Sequence, residues 1–231
     1  MTGADWREVA ATANSAFLLV FPSLFSIINP IGGALIFYGF TKDFSSADRQ
    51  KVAARVGLYS LLIMFGALWA GAYVLSFFGV SLDALRIAGG TVIALSGFQL
   101  LTSSEPHPDQ KSHERAKADT SDSDPMQLAF FPLTLPFTTG PGTIAVAVSL
   151  GTERPESFTA MAAFYTGVSL AALAMAAIIW ASYSTAEHVA AALGKSGRQV
   201  VSRLAAFVLL GIGVQIALSG IIPVLHSALA R

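Results

Sequence analysis

Two short segments, each ending around a proline and a glycine, interrupt an otherwise strongly apolar chain. Residues 21–33 read FPSLFSIINPIGG, and residues 131–143 read FPLTLPFTTGPGT. Because proline lacks an N–H group and fixes φ, it suits the first turn of a helix and disrupts a helix interior. Each segment therefore predicts a point where one helix ends and another begins. The backbone N–H and C=O groups freed at such a break can bind a ligand.

The residues around the first break favour a half-helix that starts at Pro30. Asn29 precedes this proline, and asparagine is a good N-cap residue. Gly32 and Gly33 follow, and their lack of a side chain lets the backbone lie close to a ligand. Because the N-terminus of a helix carries partial positive charge, we expect this half-helix to favour an anionic group.

The second break repeats this pattern with different residues. Its candidate ligand-binding residues are Thr138, Thr139, Gly140, Pro141 and Gly142. The threonines provide hydroxyl groups, and the proline begins the next half-helix. Alternatively, the proline at either site only bends a membrane helix and no ligand binds there. Two breaks at corresponding positions are instead typical of the substrate site of a secondary transporter.

The stretches that hold these breaks are long enough to cross a membrane. Hydrophobic residues make up 54% and charged residues 12% of the 231 residues, whereas an ordinary globular domain has about 25% charged residues. A helix needs about 20 apolar residues to cross a bilayer core of about 30 Å. Six stretches qualify: 14–40, 52–78, 83–102, 126–150, 158–182 and 200–226. We therefore predict an all-α membrane protein with six transmembrane helices, the first and fourth broken into half-helices.

Internal repetition divides the spans into two halves, since IALSG occurs both at Ile93 and at Ile216. An odd number of spans in each half inverts the second half relative to the first. We expect two inverted three-helix repeats, at 1–102 and 126–231, joined by a flexible cytoplasmic loop at 103–125.

Positive charge is distributed unequally between the loops, and cytoplasmic loops are enriched in lysine and arginine. One side collects ten such residues: Lys42, Arg49, Lys51, Arg55, Lys111, Arg115, Lys117, Lys195, Arg198 and Arg203. The other side has four: Arg7, Arg86, Arg154 and Arg231. This asymmetry predicts a multi-pass protein of the cytoplasmic (inner) membrane with both termini outside.

Small residues line one face of the third span and one face of the sixth. These faces, which predict close helix packing, are Gly90, Ala94 and Gly97, and Gly213, Ala217 and Gly220. Gln99 and Gln215 on the same spans are expected to bond either a neighbouring helix or the ligand.

Arg86 and Arg203 lie near the starts of the third and sixth spans. Their side chains are expected to reach the membrane interface, and a role in gating or anion binding is the alternative. Aligning these two arginines with each other offsets the halves by 117 residues (203 minus 86). Aligning the two IALSG copies offsets them by 123 (216 minus 93), so the two alignments differ by six residues.

Several classes of function are disfavoured. The chain has no cysteine, which removes thiol chemistry, and it lacks a basic nucleic-acid-binding stripe and the motifs of hydrolases. His107 and His113 match no metal-ligand spacing, and no cofactor is expected. The acidic residues lie in loops, termini or span edges, so a coupling ion would depend on backbone carbonyls, hydroxyls and Asn29.

Three motifs of this chain, INPIGG, RIAGG and PLTLPFTTGPGTIA, resemble those of the MarC family of bacterial and archaeal inner-membrane proteins. The resemblance implies six transmembrane helices and a transport role, with some relatives described as carriers of small neutral amino acids such as glycine and alanine. The positions that match the family signature are Asn29, Pro30, Gly32, Gly140, Pro141 and Gly142.

These observations together lead to one functional expectation. A secondary transporter would bind a small zwitterion between the breaks, with the carboxylate at a helix N-terminus and the ammonium at carbonyls and at Asn29. Asn29→Ala and Gly142→Leu are then expected to abolish transport and leave the protein folded. A non-transporting scaffold or regulator and a channel are the alternatives, and the sequence also leaves a homo-oligomer open.

Overall fold

The computed structural model describes residues 3–102 and 128–229, and all regular structure in these ranges is helical. The elements are α1 (Gly3–Ile28), α2 (Pro30–Thr41), α3 (Ser46–Phe77), α4 (Leu82–Thr102), a π-helical segment (Ala129–Thr138), α5 (Pro141–Gly151), α6 (Phe158–Ser184) and α7 (Ala186–Leu229). Extended residues, Phe131 and Leu135, interrupt the π-helical segment, and α7 is kinked at Gly194. The all-α prediction is confirmed for these ranges. The loop at 103–125, with both of its histidines, lies outside them.

Four stretches in the described part of the chain are long and apolar enough to cross a membrane. They are Trp6–Thr41, Ser46–Phe77, Phe158–Ser184 and Ala206–His226. The other two predicted spans correspond to α4, and to the π-helical segment together with α5. The chain therefore has the helices of a multi-pass membrane protein.

The helices α3 and α6 begin in the same way in the two halves of the chain. Ser45 caps α3 by accepting a hydrogen bond from the N–H of Asp48, and Ser157 caps α6 by accepting one from the N–H of Ala160. A serine N-cap satisfies one of the donors left free at a helix start. These caps fix where α3 and α6 begin.

The core is centred on α6, which packs against α1 on one side and α3 on another. Its buried side chains include Val168, Ala171, Ala172, Met175 and Ile179. A Cβ atom added to Gly167 would contact the backbone of Ala13, so α1 and α6 approach closely at this glycine.

The small-residue faces of α4 and α7 pack directly against each other. A Cβ atom on Gly90 would lie 2.7 Å from the carbonyl oxygen of Gly213 and would also contact the backbone N of Ala217. A Cβ atom on Gly213 would lie 2.7 Å from the Cα atom of Ala94. The prediction of close packing at these faces is confirmed.

The contacts between α4 and α7 are arranged symmetrically. A Cβ atom added to Gly97 would contact the backbone of Leu210 and Ala206. One added to Gly220 would contact Ile87 and the backbone of Asp83. Adding 123 to the α4 numbers 97, 87 and 83 gives the α7 numbers 220, 210 and 206, so each set is the other with the two helices exchanged. Low numbers in α4 meet high numbers in α7. The two helices are therefore antiparallel and related by a local two-fold axis. The IALSG alignment fits these contacts, and the alignment of Arg86 with Arg203 does not.

Candidate functional site

The first break lies at Asn29, between α1 and α2. Asn29 has φ 47° and ψ 66°, and it is the one non-glycine residue with positive φ in the ranges the structure describes. Its side-chain Oδ1 accepts a hydrogen bond from the N–H of Gly32 at 3.3 Å, and its carbonyl accepts one from Gly33 at 2.9 Å. Asparagine tolerates the left-handed region because its short polar side chain bonds locally. The predicted break and N-cap are confirmed.

The second break lies between the π-helical segment and α5. Gly140 is extended, with φ −73° and ψ 179°, and α5 begins at Pro141 as predicted. Gly140 offers no side-chain cap to the first turn of α5, in contrast to Asn29 at α2. The positive end of the α5 dipole therefore lies beside backbone N–H groups that lack a side-chain acceptor.

The hydroxyl groups expected to bind a ligand are directed at the π-helical segment itself. Thr138 donates to the carbonyl of Leu133 at 2.6 Å, and Thr139 donates to the carbonyl of Thr134 at 3.4 Å. Both threonines are buried. Each hydroxyl oxygen retains the capacity to accept a further hydrogen bond.

Tyr183 of α6 connects the two breaks. Its hydroxyl lies 2.8 Å from the hydroxyl of Thr138, and because the Thr138 proton is directed to Leu133, Tyr183 is the donor. A Cβ atom added to Gly33 would lie 2.5 Å from the same phenol oxygen. The ring of Tyr183 stacks on Phe37 with centroids 4.8 Å apart. One buried side chain thus contacts the start of α2 and the end of the π-helical segment.

Sequence reasoning missed Tyr183. The available signal was a tyrosine near the end of an apolar span, which ordinarily indicates a residue of the interfacial aromatic belt. Its burial and its partners arise from contacts between elements far apart in the chain.

Gly142 has a different environment from the one expected of a ligand-binding residue. A Cβ atom at this position would contact the side chain of Ile93 and lie 3.3 Å from the carbonyl oxygen of Gly89. Gly142 therefore allows α5 to pack against α4, and a leucine there would disrupt this packing. We therefore expect Gly142→Leu to destabilise the fold as well as the site.

Arg49 anchors the end of the broken first span. Its guanidinium donates to the carbonyls of Thr41 at 3.2 Å and Phe44 at 3.3 Å, and it forms an ion pair with Glu187 at the start of α7. Arg49 is 5% exposed. It thereby ties α2 and α3 of the first half to α7 of the second.

The remaining predicted polar residues lie elsewhere. Arg86 donates to the hydroxyl of Ser149 at 3.2 and 2.5 Å and pairs with Asp83, so it joins α4 to α5. Gln99, Arg203 and Gln215 are exposed on α4 and α7, whereas Thr138 and Thr139 of the second break are buried. In the described ranges, no group of three histidine or acidic side chains could hold a metal ion.

Comparison with known proteins identifies the family. A family model described as MarC family integral membrane protein matches residues 14–225, which include both breaks and Tyr183. The chain belongs to the MarC family. The resemblance seen in the three motifs is thereby confirmed.

Relatives of this MarC chain carry the name inner membrane protein MarC. The protein from Escherichia coli O1:K1 / APEC is 32% identical over 205 residues, and that from Citrobacter koseri is 33% identical over 210 residues. Each alignment covers 88% of this chain and 93% of the relative. No solved structure matches the chain. The relatives are inner-membrane proteins by name, and the apolar helices of this chain agree with that location.

Proposed function

We propose that this MarC protein is a secondary transporter of small neutral amino acids, such as glycine and alanine, and that it binds them between the two breaks. The observation that carries the proposal is that both breaks, one in each half of the chain, meet at the buried hydroxyl of Tyr183. Irregular backbone at membrane depth is tolerated only where it is packed in protein or lines a cavity. Paired breaks of this kind form the substrate sites of many transporters.

An inverted repeat supports the transport mechanism. The symmetric contacts of α4 and α7, the matching caps of α3 and α6 and the two half-helices that begin at Pro30 and Pro141 all relate the first half to the second. We infer that the six predicted spans form two inverted repeats around an axis in the membrane plane. Rocking of one repeat against the other would expose the same site to each side in turn.

The chemistry of the breaks suits a zwitterion. The substrate carboxylate would bind at the N-terminus of α5, where Gly140 leaves the first turn uncapped. The ammonium group would bind the Asn29 amide oxygen and backbone carbonyls. The break residues Asn29, Gly33, Thr138 and Thr139 are uncharged, so a substrate without net charge leaves no buried charge unpaired.

Ligand-dependent stability tests this assignment on purified protein. A ligand that binds only the folded state raises the apparent melting temperature, so glycine or alanine should raise it in the wild type. Thr139→Val, which removes a buried hydroxyl at the break, should reduce the shift. Thr166→Val is a matched control, because the Thr166 hydroxyl bonds the carbonyl of Ala162 on an exposed surface. If neither amino acid raises the melting temperature and a partner protein co-purifies, a scaffold is favoured instead.

We also propose that both termini lie outside the cytoplasmic membrane, because lysine and arginine are concentrated on the opposite side. A reporter enzyme that is active only outside the cytoplasm should be active when fused after Arg231. An inactive fusion, together with activity of a reporter that works only in the cytoplasm, would reverse the orientation.

A further inference from the structure

We propose that Tyr183 is a substrate-contacting residue whose hydroxyl passes from Thr138 to the carboxylate of the bound amino acid. The inference rests on the proposed function, because it assumes a carboxylate ligand between the breaks. It adds α6 to a substrate site that would otherwise consist of the two broken spans.

The first support is the position of the phenol. Tyr183 is 1% exposed, and its oxygen lies beside Gly33 of α2 and 2.8 Å from the hydroxyl of Thr138 in the π-helical segment. Any residue larger than glycine at position 33 would meet this oxygen at 2.5 Å. The phenol therefore fills the space that a substrate between the breaks would have to enter.

The second support is the hydrogen-bond arrangement. Thr138 already donates to the carbonyl of Leu133 at 2.6 Å, so its own proton stays hydrogen-bonded when Tyr183 leaves. A buried hydroxyl without a partner is unfavourable, and Tyr183 can therefore leave Thr138 only if another acceptor replaces it. A carboxylate is the stronger acceptor, because hydrogen bonds to charged groups are shorter and stronger than neutral ones. Substrate binding and the movement of Tyr183 are coupled by this exchange.

The third support is the aromatic packing around the ring of Tyr183. Phe37 stacks on the ring at 4.8 Å, and Phe40 meets Phe137 at 5.5 Å just beyond it. These aromatic contacts join α2 to α6 and to the π-helical segment. They hold the ring of Tyr183 between α2 and the π-helical segment.

The kinetic test separates the hydroxyl from the ring. Tyr183→Phe keeps the stacking on Phe37 and should raise the KM for glycine about 10-fold or more, with a smaller change in maximal rate. Thr138→Val removes the competing acceptor, so Tyr183 has no hydrogen bond to give up and the KM should fall. Tyr59→Phe, on a ring that packs edge-on against Phe130, should leave the KM unchanged. An unchanged KM in Tyr183→Phe, or an equal rise of KM in Thr138→Val, would overturn the exchange.

A labelling experiment, which needs no substrate, tests whether Tyr183 closes the space between the breaks. The chain has no cysteine, so Thr139→Cys creates a single thiol at a position that is 0% exposed. A membrane-permeant maleimide should label this thiol faster when Tyr183→Ala is added. Faster labelling without amino-acid transport would retain the closing role of Tyr183 and refute the proposed substrate. Equal labelling rates would refute the role of Tyr183 itself.

Discussion

At the scale of single residues, Asn29 combines two properties that usually belong to different residues. It holds a left-handed backbone conformation that glycine adopts most easily, and its amide caps α2 as glycine cannot. The same amide is the proposed ligand of the substrate ammonium. Alanine at this position would therefore disturb backbone, cap and site together, so loss of transport in Asn29→Ala alone would not identify the cause.

Glycine and alanine at position 29 separate these effects. Asn29→Ala should lower the free energy of unfolding by about 1–3 kcal/mol, because it loses the cap and retains an unfavourable φ. Asn29→Gly should cost less than about 1 kcal/mol, because glycine tolerates the conformation. Chemical denaturation in detergent measures both values. Transport should nevertheless be impaired in Asn29→Gly, and wild-type transport in that stable variant would remove Asn29 from the site.

Gly142 is predicted to act through packing against Ile93. Gly142→Ala should lower the free energy of unfolding by about 1–3 kcal/mol, because the added methyl overlaps the Ile93 side chain. Combining it with Ile93→Ala should cost less than the two single changes together, since the new methyl occupies part of the vacated space. A double-mutant cycle of unfolding free energies measures this coupling. Strict additivity would show that the two side chains do not meet.

At the scale of elements, the crossing of α4 and α7 depends on glycines that face the partner helix. Gly211 and Gly213 are two residues apart on α7, and a Cβ atom on Gly211 has no neighbour within 4 Å, whereas one on Gly213 would collide with the backbone of Ala94. Gly213→Ala should therefore lower the free energy of unfolding by about 1–3 kcal/mol. Gly211→Ala should change it by less than about 1 kcal/mol. Similar losses in both variants would contradict the packing of this face.

The connection between α2 and α7 depends on Arg49 more than on its acidic partner. Arg49→Ala removes the guanidinium donor from the carbonyls of Thr41 and Phe44 and leaves the Glu187 carboxylate without its cation. It should lower the free energy of unfolding by about 2–4 kcal/mol. Glu187→Gln should cost less than about 1 kcal/mol, because the Glu187 side chain is 49% exposed. Thermal unfolding in detergent compares the variants. An equal loss in both would mean that the ion pair, rather than the carbonyl contacts, supplies the stability.

Local signals in the sequence predicted the breaks and the helix faces, and long-range contacts explain what they missed. Asn29–Pro30 and Gly140–Pro141 define helix starts by their own chemistry, and the glycines of α4 and α7 follow a helical period. The π-helical segment was not predicted. Its prolines remove backbone N–H donors, but the sequence does not specify which side-chain hydroxyls donate to the carbonyls in their place. Tyr183 was missed because its partners, Gly33 and Thr138, are distant in the chain.

At the scale of the whole molecule, the two halves are held together at several separate places. Arg49 pairs with Glu187 across the halves, Arg86 bonds Ser149, and Trp69 donates to Ser169 at 3.2 Å. Each contact joins one half to the other. We infer that these contacts limit the movement of one half relative to the other.

The measurement that tests the central claim most directly is counterflow of labelled glycine into proteoliposomes that contain the purified protein. Vesicles loaded with unlabelled glycine should transiently accumulate the external label, and the initial rate should saturate as external glycine is increased. Tyr183→Phe should shift saturation to higher glycine concentration, and Tyr59→Phe should not. Uptake that never saturates and shows no counterflow would indicate a channel, and the absence of any uptake of glycine or alanine would contradict the account.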